Sequence, residues 1–224
     1  MGVKERRARH HAAIEQRILE TAEELLLRSG PDGVSLRAVA ERIEYSPAAI
    51  YGYFSRKDDL LAALAAYGFR QLNDALTRAS EVTGSSSLAR LREFYWRYYE
   101  FSKTHAAYYE LMFLAPSYAQ DRWDREVLEF LRAATANADR LIAGCVDTGT
   151  FRAETSPTAV RRTLWAAVHG AAVIALRKRL PADTDRDQLA AAALDAVLYG
   201  LTCVSTRTLH ARTQTPIGSP RIPA

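Results

Sequence analysis

Apolar residues recur along this chain at spacings of three and four, and extended period-2 alternation is absent. The pattern predicts helices throughout and no strand. Ile14, Ile18, Ala22 and Leu25 form one stripe, stopped at Ser29-Gly30-Pro31. A short second helix follows Ser35, a natural N-cap, with Leu36, Val39, Ala40 and Ile43 on one face. Ser46-Pro47, a cap followed by proline at the first helical position, opens a third that ends near Phe54-Ser55. A fourth is expected from Lys57 to Val82, with Leu61, Leu64, Gly68, Leu72 and Leu76 facing inward, and Gly84-Ser85-Ser86-Ser87 is a loop. Five more follow: Leu88 to Lys103, Ala106 to Leu114, Gln120 to Val146, Pro157 to Arg179, and Arg186 to Arg207. The fold class is all-α, with nine expected helices.

Helices two and three are only about two turns each, and such helices are unstable alone in water. They must be held by packing, for which Ile14, Ile18, Val39, Ile43, Ile50 and Phe54 are available. Two short helices joined by the tight connection Glu44-Tyr45 and packed on a longer one have the build of a helix-turn-helix head. In that build the second short helix enters the major groove of DNA. Here it offers Ser46, Ala48, Ala49, Tyr51 and Tyr53. Small alanines let the backbone approach bases, an alanine methyl can touch a thymine methyl, and tyrosine hydroxyls can donate to phosphates. Lys57 adds a cation at the start of the fourth helix. By periodicity alone, a small helical subdomain with surface tyrosines fits equally well.

Composition narrows the picture only a little. The 224 residues carry a net charge of +4, 48% are hydrophobic and 25% charged, as in ordinary globular chains large enough to bury a core. Charge placement says more: Lys4, Arg6, Arg7 and Arg9 face a single acid, Glu5, in a stretch read either as a disordered basic arm or as one touching phosphates. Cys145 and Cys203 form no disulfide framework and lack metal spacing, which fits a cytoplasmic setting. No run is apolar enough to span a membrane. The expected divisions are a disordered arm (1–9), the head (10–56), a helical body (57–210) and a disordered tail (211–224).

The head also carries specific strings. Ile18-Leu19-Glu20-Thr21-Ala22-Glu23-Glu24-Leu25-Leu26, Val34-Ser35-Leu36-Arg37-Ala38-Val39-Ala40 and Ser46 to Leu61, above all Ile50-Tyr51, Phe54, Lys57 and Leu60-Leu61, closely resemble the TetR family of bacterial regulators. The resemblance implies that Ser35, Arg37, Tyr51, Tyr53 and Lys57 contact phosphates, with Ser46, Ala48 and Ala49 near the bases. Two departures stand out. The family usually has glycine where this chain has Glu44, and a small aliphatic where it has Tyr45. A non-glycine residue can adopt the positive φ such a turn needs, at a cost.

The body is rich in rings. Trp96, Tyr99, Tyr108, Met112, Phe113 and Trp123 crowd the middle helices, as do Tyr95, Phe101 and Tyr109. For any single ring a plain core role is favoured, but polar-edged rings in this number can also line a cavity for a flat apolar molecule. The resemblance raises that second reading, because family members carry an effector pocket here. Trp165-Ala166-Ala167-Val168-His169-Gly170 resembles the tryptophan-histidine-glycine signature of one group of TetR C-terminal domains. Trp165 and His169 therefore join the expected effector contacts.

Leu164, Val168, Ala171, Ala172 and Ala175, then Leu189, Ala193, Ala196, Val197, Gly200 and Val204, give two small-residue faces suited to a four-helix dimer interface. A reader of symmetric DNA needs two heads about 34–36 Å apart, so a homodimer is expected. The reading is a DNA-binding regulator, a repressor released from a palindromic operator by a small, largely apolar or aromatic effector. The alternative is an activator, or a regulator answering to a protein. His105 and His169 lack an evident nucleophile or orienting acid, so no catalytic residues are assigned, nor any metal or cofactor.

Overall fold

The computed structural model describes residues 2–115, 125–177 and 179–202. Nine helices are described: α1 (Val3–Ser29), α2 (Leu36–Ile43), α3 (Pro47–Ile50), α4 (Lys57–Ser80), α5 (Ser87–Thr104), α6 (Ala106–Phe113), α7 (Arg125–Asp147), α8 (Pro157–Leu176) and α9 (Arg186–Leu201). The fold is all-α as expected, and besides the nine helices the described residues hold a 3₁₀ turn (Pro31–Gly33) and an isolated bridge between Phe151 and Thr202. No described helix is long and apolar enough to cross a membrane. Trp123, Cys203, Val204, the 211–224 tail and the expected start of the seventh helix at Gln120 lie outside the described residues.

Helix starts follow the chemistry of their caps. The hydroxyls of Ser35, Ser46, Ser86 and Ser156 each accept from a backbone N–H three residues on, satisfying a donor the helix cannot. Helix α1 begins earlier than expected. Residues 3–9, read as a disordered arm, form its first turns, because Gly2 N–H donates to the Glu5 carboxylate (3.1 Å) and nothing in the stretch breaks a helix. Helix α3 is shorter than expected; after Ile50 the chain continues in tight turns through Phe54, with Tyr53 and Phe54 N–H both donating to the Ile50 carbonyl. Helix α9 gives way at Thr202, extended and bridged to Phe151, short of the expected Arg207.

The Glu44 turn is the one strained backbone point among the described non-glycine residues. Glu44 sits at φ 61° and ψ 37°, left-handed, and closes α2 as glycine usually does. The N–H groups of Glu44 and Tyr45 both return to the Ala40 carbonyl. The sharp reversal that aims α3 is therefore made despite the side chain.

In the head, Ile18, Leu26, Val39, Ile43 and Ile50 are buried between α1, α2 and α3. Helix α4 packs on α1 and continues into the body, where it meets α5, α6 and α7. Helix α5 is central, touching α4, α6, α7, α8 and α9. It is pinned to α9 by Arg92, whose guanidinium donates to both Asp195 oxygens (2.7 and 3.1 Å), and by Lys103 and Tyr99, which both reach Asp187. Helix α6 presses on α4 at Gly68: a β-carbon there would stand 2.7 Å from Met112 Sδ and 2.9 Å from the Tyr108 ring. Tyr108 also donates from its hydroxyl to Glu23 of α1 (2.8 Å), tying the body to the head.

Candidate nucleic-acid interface and buried cavity

The outer face of the head is small and polar. Ser46, Ala48 and Ala49 are exposed, and Ile50 alone of α3 is buried, anchoring the helix. Tyr51 is 57% exposed, so its hydroxyl is presented outward. Tyr53 is half-buried and leans on His11 of α1, ring centroids 4.4 Å apart. Its orientation thus depends on a residue far back in the chain, which local spacing cannot reveal. Ser35 and Ser46 spend one oxygen lone pair on capping and keep the hydroxyl proton for donation. Arg37 is exposed and pairs with Glu41 (3.1 Å), a surface contact easily exchanged for a phosphate. Lys57 reaches the Asp32 carbonyl (3.4 Å), which holds the ammonium beside the 3₁₀ turn at Pro31–Gly33. The exposed Arg56, passed over at the sequence level, lies immediately before α4.

A cavity of about 370 Å³ lies in the body. Its walls come from five helices: Phe69, Leu72, Asn73 and Leu76 of α4; Phe94, Tyr95 and Tyr98 of α5; Phe113 of α6; Phe130, Leu131, Ala134, Thr135 and Ala138 of α7; Arg161, Arg162, Trp165 and His169 of α8. The α4 and α7 contributions follow helical spacing and are mostly apolar. Asn73 breaks the α4 stripe, and its Oδ1 is buried with no hydrogen-bond partner.

A polar knot joins α5, α6 and α8. Tyr109 Oη lies 2.6 Å from His169 Nδ1, Tyr98 Oη lies 2.9 Å from the same nitrogen, and Trp165 Nε1–H donates to Tyr98 Oη (3.2 Å). Burial pushes both phenols well above the usual tyrosine range, so they stay protonated. Burial also lowers His169, which favours the neutral ring. Tyr109 Oη–H donates to Tyr98 Oη (3.2 Å), which leaves the Tyr98 proton for Nδ1; in that arrangement the ring proton sits on Nε2. No described residue takes that Nε2–H.

Comparison with known proteins follows the same division. The family model described as bacterial regulatory proteins, tetR family, matches residues 18–64, and the one described as tetracyclin repressor-like, C-terminal domain, matches residues 91–197. The chain belongs to the TetR family. The TetR match does not itself name the tryptophan-histidine-glycine group. The HTH-type transcriptional regulator Rv1816 of Mycobacterium tuberculosis (strain ATCC 25618 / H37Rv) is 37% identical over 74 residues, 33% of this chain and 32% of that protein. The chain thus spans about a third of the length of the curated relatives it matches. A protein of unknown function from Rhodococcus sp. RHA1 superposes with a TM-score of 0.71 at 29% identity, covering 84% of this chain and 95% of that one. The TetR family transcriptional regulator PfmR from Thermus thermophilus shares the fold, with a TM-score of 0.59 at 22% identity over 84% and 100% of the two chains.

Within this TetR body the expected effector contacts divide. Phe113, Trp165 and His169 line the cavity. Tyr99 turns to α9, where its hydroxyl donates to Asp187 (2.9 Å), and Trp96 packs on it. Tyr108 faces α1, and Met112 fills the α4–α6 contact at Gly68. These four serve packing between helices, because α5 and α6 are enclosed on several sides and each neighbour takes its own rings. Sequence reading missed the α4 and α7 stripes; the signal available was Asn73, a polar residue in the run Phe69, Leu72, Asn73, Leu76.

The expected dimer faces also divide. Leu164, Val168, Ala171, Ala172 and Ala175 are buried within the chain itself, so α8 turns that stripe inward. Its outward face carries Ala159, Thr163, Ala166 and Ile174, the last 40% exposed. On α9 the residues Ala196 and Gly200 lie toward the outside, and Leu189, Ala193 and Val197 are half-buried.

Proposed function

We propose that this chain is a DNA-binding transcriptional repressor that grips a palindromic operator as a homodimer and lets go when a small, largely apolar effector enters the α4–α8 cavity. One observation carries the reading: the same helix, α4, leaves the head at Lys57 and walls the cavity with Phe69, Leu72, Asn73 and Leu76. A ligand that favours one placement of α4 shifts the head by its differential affinity for the two states. The dimer reading draws on the outward faces of α8 and α9, where Gly170 and Gly200 have nothing within 4 Å of a notional β-carbon, leaving room for close helix approach.

The head is tested by fluorescence anisotropy on DNA from the gene's own upstream region. Wild type should prefer it to random DNA of equal length. Tyr51→Ala should weaken binding, and Lys57→Ala should lower the salt slope by about one, the mark of a lost phosphate contact. Equal binding to both DNAs by wild type sinks the proposal.

A further inference from the structure

Two polar points in the cavity have no partner among the described residues. On α4, the Asn73 carbonyl oxygen is buried without a donor. On α8, with Tyr109 donating to Tyr98 and Tyr98 to His169 Nδ1, the imidazole proton is left on Nε2, and no described residue accepts it. Buried polar groups are almost always paired, so the unpaired Asn73 oxygen invites a donor from a bound molecule, while His169 Nε2, on a half-buried ring lining the cavity, is open to an acceptor. The cations nearby do not change the polarity required. Arg161 is engaged by Asp139 (2.8 Å), and Arg162 is exposed, at the solvent side. The remaining walls are aliphatic or aromatic apart from Thr135, whose hydroxyl donates to the Leu131 carbonyl (2.8 Å).

We propose that the cavity selects an uncharged, ring-bearing molecule that carries a hydroxyl for Asn73 Oδ1 and, separately, a carbonyl for His169 Nε2–H. This rests on reading the cavity as a ligand site, and it adds the ligand's chemistry. The hydroxyl gives Asn73 the donor it lacks. The carbonyl accepts the histidine proton while the Tyr98–Tyr109–Trp165 knot holds the ring still. The apolar walls, among them Phe94, Phe113 and Phe130, cover the body of the molecule. A hydrocarbon of the same shape would leave both points unpaired. A carboxylate would set a second acceptor against Asn73 Oδ1 and would have to compete with Asp139 for Arg161.

The experiment measures binding without DNA, by calorimetry and thermal shift, so that failure of operator release cannot be confused with failure of ligand selection. The probes are 4-hydroxybenzophenone and 4-hydroxychalcone, two hydroxy-ketones of different length. Their comparators are benzophenone and chalcone (no hydroxyl), 4-benzylphenol (no carbonyl) and 4-benzoylbenzoate (an anion). Wild type should bind at least one hydroxy-ketone about tenfold tighter than its deoxy parent, the value of one net hydrogen bond. 4-Benzylphenol should lose a similar factor against 4-hydroxybenzophenone, and the anion should bind weakest. Asn73→Leu should raise the melting temperature of the ligand-free protein, which also reports that it folds, and should erase the hydroxyl preference. His169→Phe should erase the carbonyl preference alone. The proposal is overturned if deoxy parents bind as well as hydroxy-ketones, if the anion binds best, if Asn73→Leu keeps the preference, or if none of the probes binds. Operator release by some other compound in that last case would leave the effector reading standing without this ligand class.

Discussion

In the head, the large buried side chains are Ile14, Ile18, Leu25, Leu26, Leu36, Val39, Ile43, Ile50 and Phe54, all apolar. In the body, Tyr95, Tyr98, Tyr99, Tyr108 and Tyr109 are buried as well, and each hydroxyl has a named partner. Apolar packing is non-directional and tolerates any occupant of the right size. Buried hydroxyls are directional, and each one demands a partner. The head is thus built to stay the same shape while its outer surface does the reading. The body is built around directional bonds, which on the proposed reading an effector would complete or disturb.

That contrast can be broken most sharply at Ile50. It is fully buried and is the anchor of a four-residue helix. Ile50→Ala should cost about 2–5 kcal/mol. The loss should show in hydrogen exchange as early opening of residues 36–54, with the body still protected. Uniform loss of protection would mean head and body fold as one cooperative unit.

A smaller effect is expected at Tyr109. Tyr109→Phe keeps the ring but removes the hydroxyl that meets His169 Nδ1 and Tyr98 Oη. It should cost about 1–3 kcal/mol by removing a donor to Tyr98 Oη and the 2.6 Å partner of His169 Nδ1. Calorimetry should find the loss in the body, and operator affinity of the ligand-free protein should be unchanged. An unchanged melting temperature would mean that the knot contributes nothing to holding α6 on α8.

The smallest effect sharpens the picture of the head. Glu44 is held left-handed at φ 61°, which costs a non-glycine residue about 1 kcal/mol. Glu44→Gly relieves that strain but loosens the unfolded chain, leaving a net gain of about 0.5 kcal/mol. Urea midpoints should rise slightly. A fall would mean that the Glu44 side chain makes a stabilising contact worth more than the strain.

The same contrast decides what could be read from sequence. Helix stops and starts were legible because Gly30-Pro31, Ser46-Pro47 and Ser156-Pro157 act locally, through caps and a missing N–H. The head surface was legible because short helices held on one side leave the other side to solvent. The start of α1 was not: a basic run reads as an arm by charge, yet it holds no helix breaker and its first turn is closed by Gly2 N–H on Glu5. The cavity was only partly legible. Helix α5 is packed on several sides, so apolar spacing could not say which ring faces α9 and which faces α7. The α8 stripe Leu164, Val168, Ala172 marked a buried face correctly as apolar, yet that face is covered by the chain's own helices.

At Gly68 two helices touch without play. The space a methyl would need is already taken by Met112 Sδ at 2.7 Å and the Tyr108 ring at 2.9 Å. In mechanical terms this is a joint with little backlash: at this point α6 has no room to move toward α4 without pushing it. Because Tyr108 also holds Glu23, the joint has a second linkage that bypasses α4 and pulls on α1 directly. Whatever displaces α6 is therefore delivered to the head through two levers, and loosening one leaves the other engaged.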